Sequence, residues 1–372
     1  MEKTKIICVV GARPNFMKIA PIMVQLKKDG SRFDPFLVHT GQHYDADMKH
    51  RFFDQLGIPE PDIDLGVGSG THSEQTAEIM KRFESVLDEQ QPAAILVVGD
   101  VNSTIACALV AVKKDIRVIH VEAGLRSYDR AMPEEINRVL TDQISDLLFT
   151  TERQAHDNLH REGIADERIQ FVGNVMIDTL LGHLQQAVPL EQTLSEVGQG
   201  DECFAEGEFA LLTLHRPSNV DNRETLHRLL SVVSDISQKL PVIFPVHPRT
   251  ANRIEQFSLE SLIDTPRICR LKPLGYLELL GVMSKAKLVL TDSGGIQEET
   301  TALGVPCITL RENTERPITV TEGTNTIVGT NVEKICQAVN EVLINGGKTG
   351  CIPEYWDGKA AERIVSVLGE RF

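Results

Sequence analysis

Short runs of aliphatic residues alternate with longer amphipathic stretches along nearly the whole chain. In the first half the apolar runs fall at 5–10, 35–39, 94–98, 117–121 and 147–150. Helical spacing between them predicts helices at about 15–28, 45–55, 73–90, 103–114, 134–145 and 152–162. Strands made mostly of Val, Ile, Leu and Ala belong to a parallel sheet covered on both faces. Alternation of the two element types predicts an α/β, doubly wound fold with right-handed crossovers.

Residues 182–205 lose this rhythm and hold few large apolar side chains, which marks a passage between domains. The pattern then resumes, with strands at 209–214, 242–246, 267–271, 287–290 and 306–310 and helices near 221–239, 249–257, 275–285 and 331–345. A last helix, near 358–369, follows a loop bearing Pro and Trp and is expected to cross back to the first domain. A length of 372 residues agrees with two cores rather than one. The expected division is 1–185, with 356–372 returning to it, and 186–355.

Charge and cysteine usage narrow the function. A net charge of −15 argues against a broad nucleic-acid surface, so an anionic ligand needs a local cluster of cations and helix N-termini. Seven scattered cysteines, none in CxxC spacing, suit a reducing compartment and supply no metal site. The first apolar run is too short for a signal peptide or membrane span, so the expected location is the cytoplasm.

In open α/β sheets ligands bind beyond the carboxyl ends of the strands, so chemistry is sought at each strand end. The richest is 290–317, where a strand turns through Asp292, Ser293, Gly294 and Gly295 into a helix carrying Gln297, Glu298 and Glu299. A strand, a Gly-Gly turn and a helix start make a cradle for phosphate; the alternative is a tight, well-capped βα turn. The two carboxylates are expected in the first helical turn, where they suit the dipole and can accept sugar hydroxyls. A polar loop at 311–316 closes the next strand.

In the first domain, Arg13 and Lys18 follow Gly11 into a helix, and a cation there opposes the helix dipole, which favours a functional reason for it. The GxGxxG dinucleotide pattern is absent. His39 and His43 flank a turn, but no carboxylate or Cys completes a metal-ligand pattern. Asp100 begins a turn whose Asp, Asn and Ser are also ordinary helix caps. Glu122 closes an otherwise apolar strand, which is costly unless the carboxylate is paired or working. Pro133-Glu134-Glu135 is at once ordinary helix initiation and a third acidic strand end. Several carboxylates at one rim are acid/base equipment. In the second domain His215-Arg216 and His247-Pro248-Arg249 place cations on neighbouring strand ends.

The ordered set GARPNFMK, TGQH, GDVNST, HVEAGLRS, MPEEINR, LHRPSNVDN and TDSGGIQEE with ERP resembles the non-hydrolysing UDP-N-acetylglucosamine 2-epimerases, from Gly11 to about Pro317. The resemblance implies a GT-B fold, two Rossmann-like doubly wound lobes with the ligand cleft between them. It implies reversible conversion of UDP-GlcNAc to UDP-ManNAc by elimination of UDP to 2-acetamidoglucal and re-addition, without cofactor, for surface polysaccharide precursors. Asp100, Glu122 and Glu134 match the family's catalytic carboxylates, and His215 its active-site histidine. Ser293, Gly294, Gly295 and Glu299 match positions that hold UDP, as does Arg316, while Arg13 and Lys18 match cations of the first lobe. The segment 271–279 matches the part that cradles uracil, with Leu274 within it and Leu279 where an aromatic residue is often found. The resemblance also implies a homodimer. Many bacterial members read HRRE where this chain has His215-Arg216-Pro217-Ser218. The arginine and glutamate of that segment contribute to regulation by a second UDP-GlcNAc in those enzymes, so the departure argues against such regulation here and leaves room for a related substrate, UDP-2,3-diacetamido-glucuronic acid. A hydrolysing 2-epimerase and a GT-B glycosyltransferase are also compatible with these motifs.

Overall fold

The computed structural model describes residues 3–41, 56–195, 204 and 208–372. The expected helix at 45–55, together with Gln42, His43 and Cys203, lies outside the described residues. The chain divides into two compact units, Met1–Gly182 with Glu354–Phe372, and His183–Pro353.

The first unit holds strands β1 (Thr4–Val10), β2 (Phe33–His39), β3 (Ile63–Asp64), β4 (Ala94–Val98), β5 (Arg117–Ala123), β6 (Leu147–Thr150) and β7 (Ile169–Phe171). They form one parallel sheet in the order β3-β2-β1-β4-β5-β6-β7. The edge strands β3 and β7 are too short, at two and three residues, to show an apolar run of their own. One face of the sheet, with Ile7, Val9, Ile95 and Val97, packs on Phe83, Val86 and the Ala-rich helix Asn102–Lys113.

The second unit repeats the plan with β8 (Ala210–Thr213), β9 (Val242–Pro245), β10 (Ile268–Leu271), β11 (Leu288–Thr291), β12 (Cys307–Thr309) and β13 (Asn325–Ile327). The order is β10-β9-β8-β11-β12-β13, again parallel throughout. Its core joins Leu212, Phe244 and Leu290 to Leu229, Val233 and Val339 of the covering helices. The two units together give the α/β, GT-B-like architecture.

Helix ends follow local chemistry. Thr71 and Glu74 make a reciprocal capping box, Asn222 and Asn331 cap the helices Arg223–Ser237 and Val332–Asn345, and left-handed Gly304 and Gly346 end two helices. The last helix, Ala360–Arg371, belongs to the first unit. Its seat is built from Trp356, buried with Nε1 donating to the Thr151 carbonyl at 3.2 Å, and from Asp178, which accepts the N–H groups of Ala360 and Ala361 at 3.0 and 2.7 Å. Among the described residues no helix is long and apolar enough to cross a membrane.

Strand order reverses direction at two places, between β1 and β4 and between β8 and β11. There the connecting loops part to opposite faces of the sheet and leave a crevice beyond the strand ends. Chemistry is therefore expected in the residues that follow these four strands.

Candidate active site

In the first unit Asn15 ties together the two loops of the crevice. Its Oδ1 accepts the Ala12 N–H at 2.9 Å and its Nδ2 donates to the Val98 carbonyl at 2.8 Å. One helical turn along, Lys18 is buried and its ammonium pairs with the equally buried Glu122 carboxylate. Gly99, at φ 66°, makes room, because a Cβ there would stand 2.8 Å from Lys18 Nζ and 3.9 Å from Glu122 Oε2. Glu122 itself has φ 71° at a bulge between Val121 and Ala123. A non-glycine residue in that region carries about 1–3 kcal/mol of strain, and a bulge of this kind re-aims a side chain at a site.

Asp100 is held by the helix Pro133–Ile144. Its carboxylate receives Arg138 Nε at 3.0 Å and Nη2 at 2.7 Å, and its carbonyl accepts from Asn137 Nδ2 at 2.9 Å. Arg138 is buried and also paired with Glu135, which accepts the N–H groups of Ser127 and Tyr128, each at 2.9 Å. Glu135 is thus a structural carboxylate, while its neighbour Glu134 is half-buried in the first helical turn.

Behind these groups lies a buried charged network. His120 Nδ1 is 2.7 Å from Asp142 Oδ1, and its Nε2 is 2.8 Å from the Gly99 carbonyl oxygen. Arg126 Nη2 is 2.7 Å from Asp142 Oδ2 and is clamped by Glu162 from the other side. Burial works to raise the Asp142 carboxyl, yet the charge and hydrogen bond of His120, then those of Arg126, hold it below the usual carboxylate range.

In the second unit Asp292 organises the crevice. It is buried and accepts the N–H of His215 at 3.1 Å, that of Arg216 at 2.9 Å and Asn219 Nδ2 at 3.1 Å. Burial pushes this carboxyl up, but His215 and the two main-chain N–H groups outweigh it and keep it low. The His215 ring is half-buried and lies 5.5 Å, centroid to centroid, from that of His247, which caps the helix Pro248–Gln256.

Ser293 precedes the helix Gly294–Leu303 and forms no side-chain cap bond. Arg316 lies against it, with Nε 2.8 Å from Glu298 Oε2 and Nη1 2.6 Å from Glu315 Oε1, and Arg311 Nη2 holds the other Glu315 oxygen at 2.8 Å. A Cβ on Gly294 would stand 2.6 Å from Glu315 Oε1 and 2.7 Å from Arg316 Nη1, so only glycine lets the guanidinium in. Tyr276 is buried, and burial followed by the charge and hydrogen bond of Glu299 pushes its phenol up.

The structure therefore brings Lys18, Glu122 and the Gly99–Asp100 turn together in one unit, with Glu134 one helical turn before Arg138. In the other it gathers Gly294 and Arg316 beyond β11 and ties His215 to Asp292. Arg13 is the first residue of the helix Arg13–Lys28, Gly295 the second of Gly294–Leu303, and Leu274 and Leu279 are half-buried before and on the helix Tyr276–Lys285. Two local expectations change. Because the helix starts at Gly294, Glu298 and Glu299 fall in its second turn, where they face Arg316 and Tyr276. Asn102 and Ser103 do not cap their helix; Val101 is the cap residue, and Ser103 Oγ bonds Thr40 Oγ1 at 2.7 Å. His39 Nδ1 pairs with Asp64 at 2.9 Å. Sequence reading missed Asn15, Arg138, Asp142 and Glu315 as organisers, since their partners sit on other strand ends and only buried polarity in helices hinted at them.

A protein-family model described as UDP-N-acetylglucosamine 2-epimerase matches residues 25–369. The UDP-N-acetylglucosamine 2-epimerase of Methanocaldococcus jannaschii is 44% identical over 367 residues, covering 98% of each chain. The crystal structure of the Methanocaldococcus jannaschii UDP-GlcNAc 2-epimerase in complex with UDP-GlcNAc and UDP matches with a TM-score of 0.89 at 43% identity, covering 99% of this chain and 100% of that one. A UDP-2,3-diacetamido-2,3-dideoxy-D-glucuronate 2-epimerase of Pseudomonas aeruginosa is 39% identical, covering 98% of this chain and 99% of that protein.

Proposed function

This chain belongs to the UDP-N-acetylglucosamine 2-epimerase family, and from that premise we propose that it interconverts UDP-GlcNAc and UDP-ManNAc by inversion at C2. It is an isomerase. The observation that carries the substrate assignment is full-length similarity to an epimerase crystallised with UDP-GlcNAc and UDP.

The chemistry follows from the substrate. C2 adjoins no carbonyl, so its hydrogen is not acidic until the C1–O bond weakens. A carboxylate takes the C2 proton while the C1–O electron pair leaves with UDP, giving 2-acetamidoglucal. Return of a proton to C2 from the opposite face, with UDP rejoining C1, gives the epimer. Asp100, Glu122 and Glu134 are the groups we assign to these proton transfers, with His215 at the active site. The helix end at Ser293, Gly294 and Gly295 and the guanidinium of Arg316 are assigned to the leaving diphosphate, where charge develops. Arg13 and Lys18 are assigned as cations of the first unit, Glu299 to UDP, and Leu274 with Leu279 to the uracil.

NMR of the full-length protein with UDP-GlcNAc in D₂O tests this. Deuterium at C2 and a UDP-ManNAc signal are expected; epimerisation with full retention of the C2 hydrogen would reject the elimination route. The similarity to the diacetamido-glucuronate enzyme supports a second reading, decided by turnover on UDP-2,3-diacetamido-glucuronic acid in parallel. Free UDP in proportion to product marks a hydrolase, and strict dependence on an acceptor a glycosyltransferase. A cytoplasmic homodimer supplying surface polysaccharide precursors completes the proposal, and light scattering of the purified protein checks the dimer.

A further inference from the structure

We propose that Asp142 is a positioning residue for this reaction: one buried carboxylate that fixes the backbone on both sides of Glu122 and, through His120, the turn that carries Asp100. The inference deepens the epimerase reading and rests on it. Asp142 lies on the helix Pro133–Ile144 and is fully buried. Its Oδ1 faces His120 Nδ1 at 2.7 Å, two residues before Glu122. Its Oδ2 accepts the N–H of Gly124 at 3.1 Å, two residues after it. Between these anchors Glu122 stands at φ 71° and Gly124 at φ 81°. A carboxylate-bearing residue in a left-handed conformation stays there only when the surrounding chain over-determines it, and Asp142 pins that chain at both ends of the bulge.

The same anchor reaches the second acid. The carbonyl of Gly99 can only accept, so His120 Nε2 donates to it, at 2.8 Å. Gly99 has φ 66° and immediately precedes Asp100. The Gly99 N–H returns a bond to the Val121 carbonyl at 3.1 Å, which joins the two turns directly. Arg126, held by Glu162, keeps a permanent positive charge 2.7 Å from Asp142. Asp142, His120 and Arg126 are outside the set assigned to substrate. Asp142 and His120 both bond within two residues of an assigned catalytic carboxylate.

In elimination and re-addition the glycal must be reprotonated at C2 before it escapes. Displacement of a proton-transfer group by a fraction of an ångström slows reprotonation without slowing escape. Positioning is therefore read in how the intermediate partitions, a ratio independent of how much of the protein is folded. The experiment gives UDP-GlcNAc in D₂O to the full-length enzyme and to Asp142→Asn, which keeps the shape and removes the charge. ¹H NMR follows the epimer, C2 deuterium and free UDP with 2-acetamidoglucal. Turnover is expected to fall ~10- to 100-fold, with KM within about threefold of wild type and glycal released per epimerisation raised at least about fivefold. Wild-type turnover in the variant overturns the proposal. So does reduced turnover with an unchanged release ratio, which is the result that loss of folded protein alone produces. Should Asp142→Asn fail to fold, His120→Gln carries the same measurement with the same criteria. A wild-type enzyme that neither epimerises UDP-GlcNAc nor exchanges its C2 hydrogen sinks the epimerase reading itself, a result separate from those of the variants.

Discussion

His215 Nδ1 lies 3.1 Å from Asp292 Oδ1, and the same carboxylate accepts the main-chain N–H of His215. Ring and backbone of one residue are thus fixed by a single buried group that also holds Arg216 and Asn219. Asp292→Asn presents an amide N–H₂ to a pocket built of donors. Loss of a charge-assisted acceptor there is expected to cost about 1.5–3 kcal/mol of stability, read as a shift in denaturant midpoint. Turnover should fall further than stability accounts for, because the His215 ring loses the negative charge beside its Nδ1.

The Lys18–Glu122 pair makes a sharper test. Both side chains are buried, with 6% and 3% exposure, and a buried ion pair that loses one partner leaves the other charge in low dielectric. Lys18→Met should therefore destabilise the first unit by about 3–5 kcal/mol. Lys18→Met combined with Glu122→Gln should recover much of that loss, since no charge then remains stranded. Additive losses in the two single variants, measured by a double-mutant cycle in guanidinium, would show that the pair does not couple.

Gly294→Ala probes the diphosphate cradle without changing any charge. Its methyl group meets Glu315 and Arg316 at 2.6 and 2.7 Å, well inside contact distance. The guanidinium must retreat from the helix end, and an overpacking cost of about 1–3 kcal/mol is expected in the second unit. UDP affinity by calorimetry should weaken by roughly tenfold, the equivalent of one lost charge-assisted contact. Unchanged UDP affinity would remove this turn from the proposed UDP site.

The sequence carried the layering well because it is written in the commonest signal, apolar runs against amphipathic helices. Strands β1, β4, β5 and β6 of the first unit lie within a few residues of their expected limits, since each is a run of buried aliphatics. Ile63–Asp64 and Ile169–Phe171 escaped notice because edge pairing needs main-chain bonds rather than an apolar run. For the candidate site, Glu122 was legible as a carboxylate ending an apolar strand, a costly placement that asks for a reason, while Asp100 and His215 stood out only as polar residues at strand ends. Their holders were not. Arg138 looks like any helical arginine until the fold sets it against Asp100. Asp142 reads as an ordinary polar helix position until β5 brings His120 and Gly124 to its two oxygens. Glu298 and Glu299 illustrate the reverse error: they were expected in the first helical turn, and because the helix starts at Gly294 they fall in its second, beside Arg316 and Tyr276.

Asp178 predicts a pH response of unusual sign. Burial, the largest cause, outweighs the N–H groups of Ala360 and Ala361, and nearby Asp357 adds to it, so the carboxyl is raised from its ordinary 3.8 to about 6. Between those values the folded chain binds a proton that the unfolded chain has released. Stability therefore falls as pH rises from about 4 to about 6, by roughly 2–3 kcal/mol in all. Asp142 and Asp292 are depressed instead, so their contributions are present above about pH 4 and lost only as pH drops further. They do not mask the Asp178 window. Trp356, the one tryptophan of the chain, is buried in the same seat and reports on it by fluorescence. Denaturant titrations followed at Trp356 should show the midpoint declining between about pH 4 and 7 in the wild type and nearly level in Asp178→Asn. Parallel curves for the two proteins would place Asp178 at its ordinary value, and the hydrogen bonds to Ala360 and Ala361 would then be strong enough to cancel the effect of burial.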